Sequence, residues 1–193
     1  NSTFVVNDAS VVYNNNETTG GLFLSVNGAP YVMQTQIKNT GNQPLGSFNV
    51  LSRVVNILNQ NQALDNLPSS ALVPGATEDL SFGNTFIPTT AGVFRHITNT
   101  QLTGDATPSN NSKELELQAV DTTQTSIELS FDSGVDAGLG GLGWQGGGGG
   151  AGIHFVPPFY PCNITQLSSY IAGNSYLAGF AMMILDDDGP GGT

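Results

Sequence analysis

Few places in this chain carry residue types that could do chemistry. "DDDG", Asp186 to Gly189, sets three carboxylates side by side. Their mutual repulsion is what a hard cation such as Ca²⁺ relieves. Successive residues of an extended chain point to opposite sides, so Asp186 and Asp188 are the pair able to share an ion. The D-x-D-x-D-G spacing of a helix–loop–helix calcium loop is absent, and the competing reading is a solvated turn after "FAMMIL". Asp105 in "GDATPSNN" has the same two readings, with an Asx-type turn cap the expected one. His96 falls in an alternating, strand-like run and His154 beside a Pro-rich segment. Neither lies near a G-x-S-x-G nucleophile elbow, so acyl transfer is not expected. Cys162 is the single cysteine. It excludes an intramolecular disulfide and a Cys-based zinc site, and its expected role is a buried thiol.

"GLGGLGWQGGGGG", residues 138–150, opens with a formal G-x-G-x-x-G at Gly138, Gly140 and Gly143. A dinucleotide loop needs a helix after the third glycine and an acid about 20 residues on. Here Pro157 and Pro158 forbid a continuing helix, and no Asp or Glu occurs from Gly143 to Leu185. No lysine follows Lys113, so a Walker loop fails too. The tract is expected to be an ordered loop anchored by Trp144. Together with Phe155, Phe159 and Tyr160, Trp144 offers either a stacking platform for a glycan or the core of a glycine-rich region.

Charge narrows the partners. Four basic residues, Lys38, Arg53, Arg95 and Lys113, stand against fifteen acids, a formal net charge of −11. Phosphate neutralisation on a nucleic acid needs what this chain lacks, and an anionic membrane surface repels it. Divalent cations are the charged partner that the balance favours. No run approaches the roughly 18 apolar residues of a membrane span. Polarity comes instead from Asn, Thr, Ser, Gln and Gly, a pattern common in extracellular β-proteins. The chain begins at Asn1, which suggests a processed product or an excerpt. Sequons occur at Asn1, Asn16, Asn110 and Asn163.

Strands are what must position these residues. In "YVMQTQIKN" (31–39), Tyr31, Met33, Thr35 and Ile37 share a face. In 46–55 it is Phe48, Val50, Ser52 and Val54; in 91–102, Phe94, His96 and Thr98; in 113–121, Leu115, Leu117 and Ala119. The breakers "NTGNQPLG", "LVPGATED", "IPTTAG" and "TGDATPSNNS" separate them. That spacing predicts an all-β antiparallel sandwich over residues 9–122. "TSIELSFD" (125–132) reads as a strand opening a second β-module over 123–193, too short to be complete. Residues 1–8 read as an N-terminal extension or linker, able to serve as a donor strand.

The ordered set "NDASVVYNN", "VMQTQIKNTGNQPLGSFNV", "LVPGATEDLSF", "IPTTAGVFRHITNT" and "GDATPSNNSKELEL" resembles the CARDB-type immunoglobulin-like module, the cell-adhesion-related domain of bacterial surface proteins. In it, N-T-G-N turns the chain after a core strand, P-G precedes another, and D-x-x-P-x-N-N tightens the last hairpin. Residues 125–193 look like the jelly-roll or sandwich modules that follow such domains. The resemblance implies an Ig-like sandwich, then a partial β-sandwich, in an exported, non-catalytic surface protein without a cofactor unless Ca²⁺ binds. Expected partners are proteins or further copies of the chain, or a glycan, at the cell surface or in the extracellular medium. A fibre subunit joined by strand exchange, and a carbohydrate- or Ca²⁺-binding module, stay open as alternatives.

Overall fold

The computed structural model describes residues 4–15, 21–130, 152, 155–168 and 181–184. It divides into two units. One comprises Asn1–Val135 with Gly152–Tyr160, the other Asp136–Ala151 with Pro161–Thr193.

The first unit is an all-β sandwich of eight strands: β1 (Ala9–Asn14), β2 (Gly21–Ser25), β3 (Tyr31–Asn39), β4 (Asn49–Asn56), β5 (Asn61–Pro68), β6 (Thr77–Phe86), β7 (Gly92–Thr100) and β8 (Ser112–Val120). One sheet has the order β1-β3-β6 and the other β2-β8-β7-β4-β5. All pairings are antiparallel except β2 with β8. The immunoglobulin-like sandwich expected from the sequence is the one observed.

Alternation decides the core. On β3 the residues from Tyr31 to Asn39 alternate buried and more exposed without a break, because one face of a pleated strand meets the opposite sheet. Met33, Ile37, Val50, Val54, Phe82 and Leu117 are almost wholly withdrawn from water. Each such side chain stabilises the fold by about 1.5–3 kcal/mol.

Two turns hold β3 and β6 in place. Asn39 is completely buried, yet its Nδ2 donates to Gln43 O and Leu72 O, both at 2.8 Å, and its Oδ1 accepts the Gly41 N–H at 3.0 Å. After β5, Val73 to Ala76 close a Pro-Gly turn in which Gly75 takes φ +81°, a left-handed value that favours glycine.

Three features differ from the sequence reading. β5 lies in a stretch where no strand is expected, and β6, the strand that the P-G element precedes, runs to Phe86 without the alternation that would mark its extent. β5 is an edge strand, half exposed along its length, so it carries no apolar alternation. β6 is interrupted: opposite Val32–Gln34 it bulges at Phe82–Asn84, which breaks its periodicity. The freed N–H groups of Gly83 and Asn84 donate to Asp65 Oδ2 of β5 at 2.9 and 3.1 Å, and Asn84 Nδ2 donates to Leu64 O at 2.7 Å. These bonds hold the Asp65 carboxyl below its ordinary range, with the Asn84 amide the largest cause. Residues 125–130, expected to open a strand, run on from a turn at 122–125 without joining a sheet. Residues 131 and 132 lie outside the described residues.

Residues 4–8, within the expected N-terminal extension, bond to the turn that follows β3. Val6 O accepts the Asn42 N–H at 3.0 Å, Asn42 Nδ2 donates to Phe4 O at 2.7 Å, and Asp8 O accepts the Thr40 N–H at 2.9 Å. A side chain at Gly41 would stand 2.2 Å from Val6 O, so the close approach of this arm requires glycine there.

In the second unit the described residues form no named strand. Ile164 to Leu167 and Met182 with Ile184 line an open depression of about 300 Å³.

Candidate functional site

The pleat aims His96 of β7 into the sandwich. Tyr31 of β3 and Ser52 of β4 meet it there, separated from it by 65 and 44 residues of sequence. Ser52 Oγ lies 2.7 Å from His96 Nε2, and Tyr31 OH lies 2.8 Å from Nδ1. Thr98 Oγ1 stands 3.3 Å from the same Nε2, and the Tyr31 ring meets the imidazole edge-on. A serine hydroxyl on a histidine nitrogen is the contact from which acyl-transfer enzymes make a nucleophile. Here both residues are wholly buried. Burial also pushes the His96 pKa down to about 4, so the imidazole is neutral at physiological pH. Asn14 extends the network: its Nδ2 donates to His96 O and Lys113 O, both at 3.2 Å, and Thr35 Oγ1 donates to its Oδ1 at 3.1 Å. What this arrangement does is satisfy buried polar groups between two sheets.

A second polar group gathers at the pole where β1 begins and the β7–β8 connection turns. Asp105 Oδ1 accepts the Thr107 N–H at 2.8 Å, the two-residues-on bond of an Asx turn, while its Oδ2 accepts the Ala9 N–H at 2.9 Å. Ala9 O accepts the Thr100 hydroxyl at 3.0 Å. Asn110 Nδ2 donates to both oxygens of Asp8, at 3.1 and 3.4 Å. Asp8 is only 6% exposed, and the one ion pair among the described residues is far from it, between Arg95 and Glu114 at 3.2 Å. One end of the Asn111 side-chain amide lies 2.9 Å from Ala9 O, 2.9 Å from Asn110 Oδ1 and 3.2 Å from Asp105 Oδ1. That end is the nitrogen, which donates to all three, because the opposite orientation would set oxygen against oxygen and nitrogen against a donor. No group of three His, Cys, Asp or Glu side chains that could hold a metal ion gathers among the described residues.

On the outer face of the three-stranded sheet, Tyr13, Gln34, Thr35, Asp79, Leu80 and Ser81 line a depression of about 190 Å³. Its polar groups bind one another: Tyr13 OH donates to Asp79 Oδ1 at 3.2 Å, and Gln36 Nε2 to the same oxygen at 3.0 Å.

The residues expected to carry function divide accordingly. Asp186, Asp188, Trp144 and His154 lie outside the described residues. Phe155 stacks on Phe23 of β2 with ring centres 5.8 Å apart, whereas Tyr160 is exposed. Cys162 is free and half-buried. Of the sequons, Asn163 is exposed, and Asn110 has its amide nitrogen on Asp8. Asn1 and Asn16 lie outside the described residues. Sequence reasoning missed Asp8 and Asn111. The signal for them was the D-x-x-P-x-N-N element, read only as a device that tightens a hairpin.

No family model matches this chain, and no curated protein matches it either. Among solved structures it is similar to a CARDB domain from Pyrococcus furiosus determined in complex with di-metal ions. The identity is 18% and the TM-score 0.48, over 62% of this chain and 99% of that one. A domain from Methanosarcina acetivorans, described as part of a cell surface protein, gives 19% identity and a TM-score of 0.46, over 60% of this chain and 93% of that one. A β-glucuronidase of glycoside hydrolase family 2 gives 13% and 0.39, over 57% of this chain but 11% of the enzyme.

Proposed function

We propose that this chain is a non-catalytic structural module of an extracellular or cell-surface protein, one that spaces or displays its neighbours. One observation carries the reading: the chain enters and leaves the sandwich at opposite poles. Ala9 sits beside Asn39, Thr100 and Asn111, whereas Val120 ends beside Ser25, with its carbonyl accepting the Val26 N–H at 2.9 Å. Nine-residue strands separate those poles by about 30 Å. Modules with this connection string together head to tail, each adding its own length. The low charge and the Asn- and Thr-rich surface suit an extracellular setting. None of the described helices is long and apolar enough to cross a membrane.

The location is tested by treating intact source cells with an external protease and probing for the chain. Digestion without lysis supports the reading, and protection until the cells are lysed overturns it.

A second reading, a fibre subunit joined by strand exchange, is favoured by Phe4 and Val5, apolar residues left 87% and 70% exposed at the start of the arm. The bonds of residues 4–8 to their own domain oppose it. Gly41→Ala, which expels the arm, is expected to promote chain-length-independent association if the arm is a donor. A variant that stays monomeric in sedimentation removes that reading.

A further inference from the structure

We propose that the outer face of β2 is a docking surface for an extended segment of the chain's own later half, Phe155 to Pro158. The segment acts as a strap that fixes where the following chain leaves the sandwich. The inference does not rest on the surface location proposed above, because the strap and the location can each fail while the other stands.

The starting observation is a phenylalanine buried on the side away from the core. Leu22 and Leu24 of β2 pack against the core, opposite Leu117 and Ala119 of β8. Successive side chains alternate, so Phe23 and Ser25 face outward, as does Gln118, the ladder partner of Phe23. An outward side chain on an edge strand ordinarily meets water. Phe23 is nonetheless only 7% exposed, as little as Phe48 inside the core.

What covers it comes from far along the chain. The Phe155 ring stacks on Phe23 with centres 5.8 Å and planes 16° apart, and Ser25 Oγ donates to Pro158 O at 3.1 Å. These two contacts give the segment a direction. It runs alongside β2 from Phe23 towards Ser25, and so towards the pole where Val120 ends. The outgoing chain is anchored next to it, because the Ser130 N–H donates to Gln118 Oε1 at 3.3 Å. Gly152–Tyr160 accordingly belongs to the unit of the sandwich, whereas Asp136–Ala151 and Pro161–Thr193 belong to the other.

The chemistry of the segment suits a strap. Pro157 and Pro158 have a fixed φ, so the segment is held extended at little cost in conformational entropy. A stacked aromatic pair adds attraction beyond the apolar area it covers. One ring and one hydrogen bond make a weak contact between separate chains. Here both partners belong to one chain, so docking is intramolecular and a weak contact suffices. Tyr160, 75% exposed, marks where the segment parts from the sandwich.

The test uses the full chain and chymotrypsin, which cuts after aromatic residues, and reads the Phe159–Tyr160 bond. Cleavage there needs the strap to lift, so its rate follows the open population. Phe23→Ala and Phe155→Ala are each expected to raise that rate about tenfold, through loss of the stacked pair and the apolar area it covers. The double variant is expected to be cut no faster than either single one, because the two rings act on each other. Phe23→Tyr, which keeps a ring, is expected to keep the parent rate. Phe155 lies outside every strand, so Phe155→Ala carries the test alone if Phe23→Ala is also cut at Tyr31, Phe48 or Phe94, the sign of an unfolded sandwich. Three results overturn the proposal: a Phe159–Tyr160 bond cut in the parent chain as fast as in Phe155→Ala; a double variant in which the two increases multiply; or a protection in the parent that rises with chain concentration, which would put the segment on a second copy.

Discussion

Two polar clusters in the same sandwich are built from similar groups and behave differently. Around His96, every group finds a complementary partner and water is shut out. At the N-terminal pole the oxygens also find donors, but Asp105, Asn110 and Asn111 are only half-buried, so water reaches the cluster. The lesson is that proximity of reactive residue types says little until donors and acceptors are counted and access is measured. Ser52 and His96 are at catalytic distance, yet they are neighbours within one sheet, and with Tyr31 of the other sheet they form a buried brace. The pole is as well paired, and what sets it apart is its access to water.

The largest effect that could break this contrast is at His96. His96→Ala leaves the Ser52 and Tyr31 hydroxyls without their partner and opens a void, and it is expected to cost about 3–5 kcal/mol in urea unfolding. A loss below about 1 kcal/mol would mean that the cluster does not brace the sheets.

Acid is the next lever. The folded pKa of His96, about 4, lies below the unfolded 6.5, so the unfolded chain binds the proton more readily. The stability this group contributes is therefore complete above pH 6.5 and falls as pH drops from 6.5 to 4, by about 3 kcal/mol in total. That slope should vanish in His96→Ala, as followed by unfolding at several pH values.

Thr100→Val probes the pole. It removes the hydroxyl from Ala9 O and is expected to cost about 1 kcal/mol, less than any loss at His96. A larger cost would show that the pole is shut off from water like the core.

Arg95→Ala, away from both, deletes an ion pair whose partners are 33% and 48% exposed, and should shift stability by less than about 0.5 kcal/mol. It sets the floor against which the other changes are measured.

β3, β4, β7 and β8 were legible as strands from their period-2 runs, unbroken only on β3, and so were the N-T-G-N and P-G turns. β5 was not, since it is a half-exposed edge, and β6 was legible only as the strand after P-G, its extent hidden by the bulge where Gly83 and Asn84 turn to Asp65. His96 was legible as a strand residue sharing a face with Phe94 and Thr98, but not as an inward one. Its contact with Ser52 was not, because register between distant strands fixes it. Likewise "SNN" gave no hint that Asn111 meets Ala9, which lies about a hundred residues earlier and is brought near by the order of the strands.

The opposite-pole connection has a mechanical consequence. β8 runs from the N-terminal pole to the exit and is held along nearly its whole length by β7 on one side and, over Glu116 to Val120, in parallel by β2 on the other. Tension applied between the two ends of the module pulls β8 along its own axis. The ladder bonds lie largely across that axis, so they share the load in shear and must yield together. Such a strand resists stretching far better than one peeled away from a single end, where bonds break in turn. Force is then borne by the hydrogen-bond geometry of one central strand.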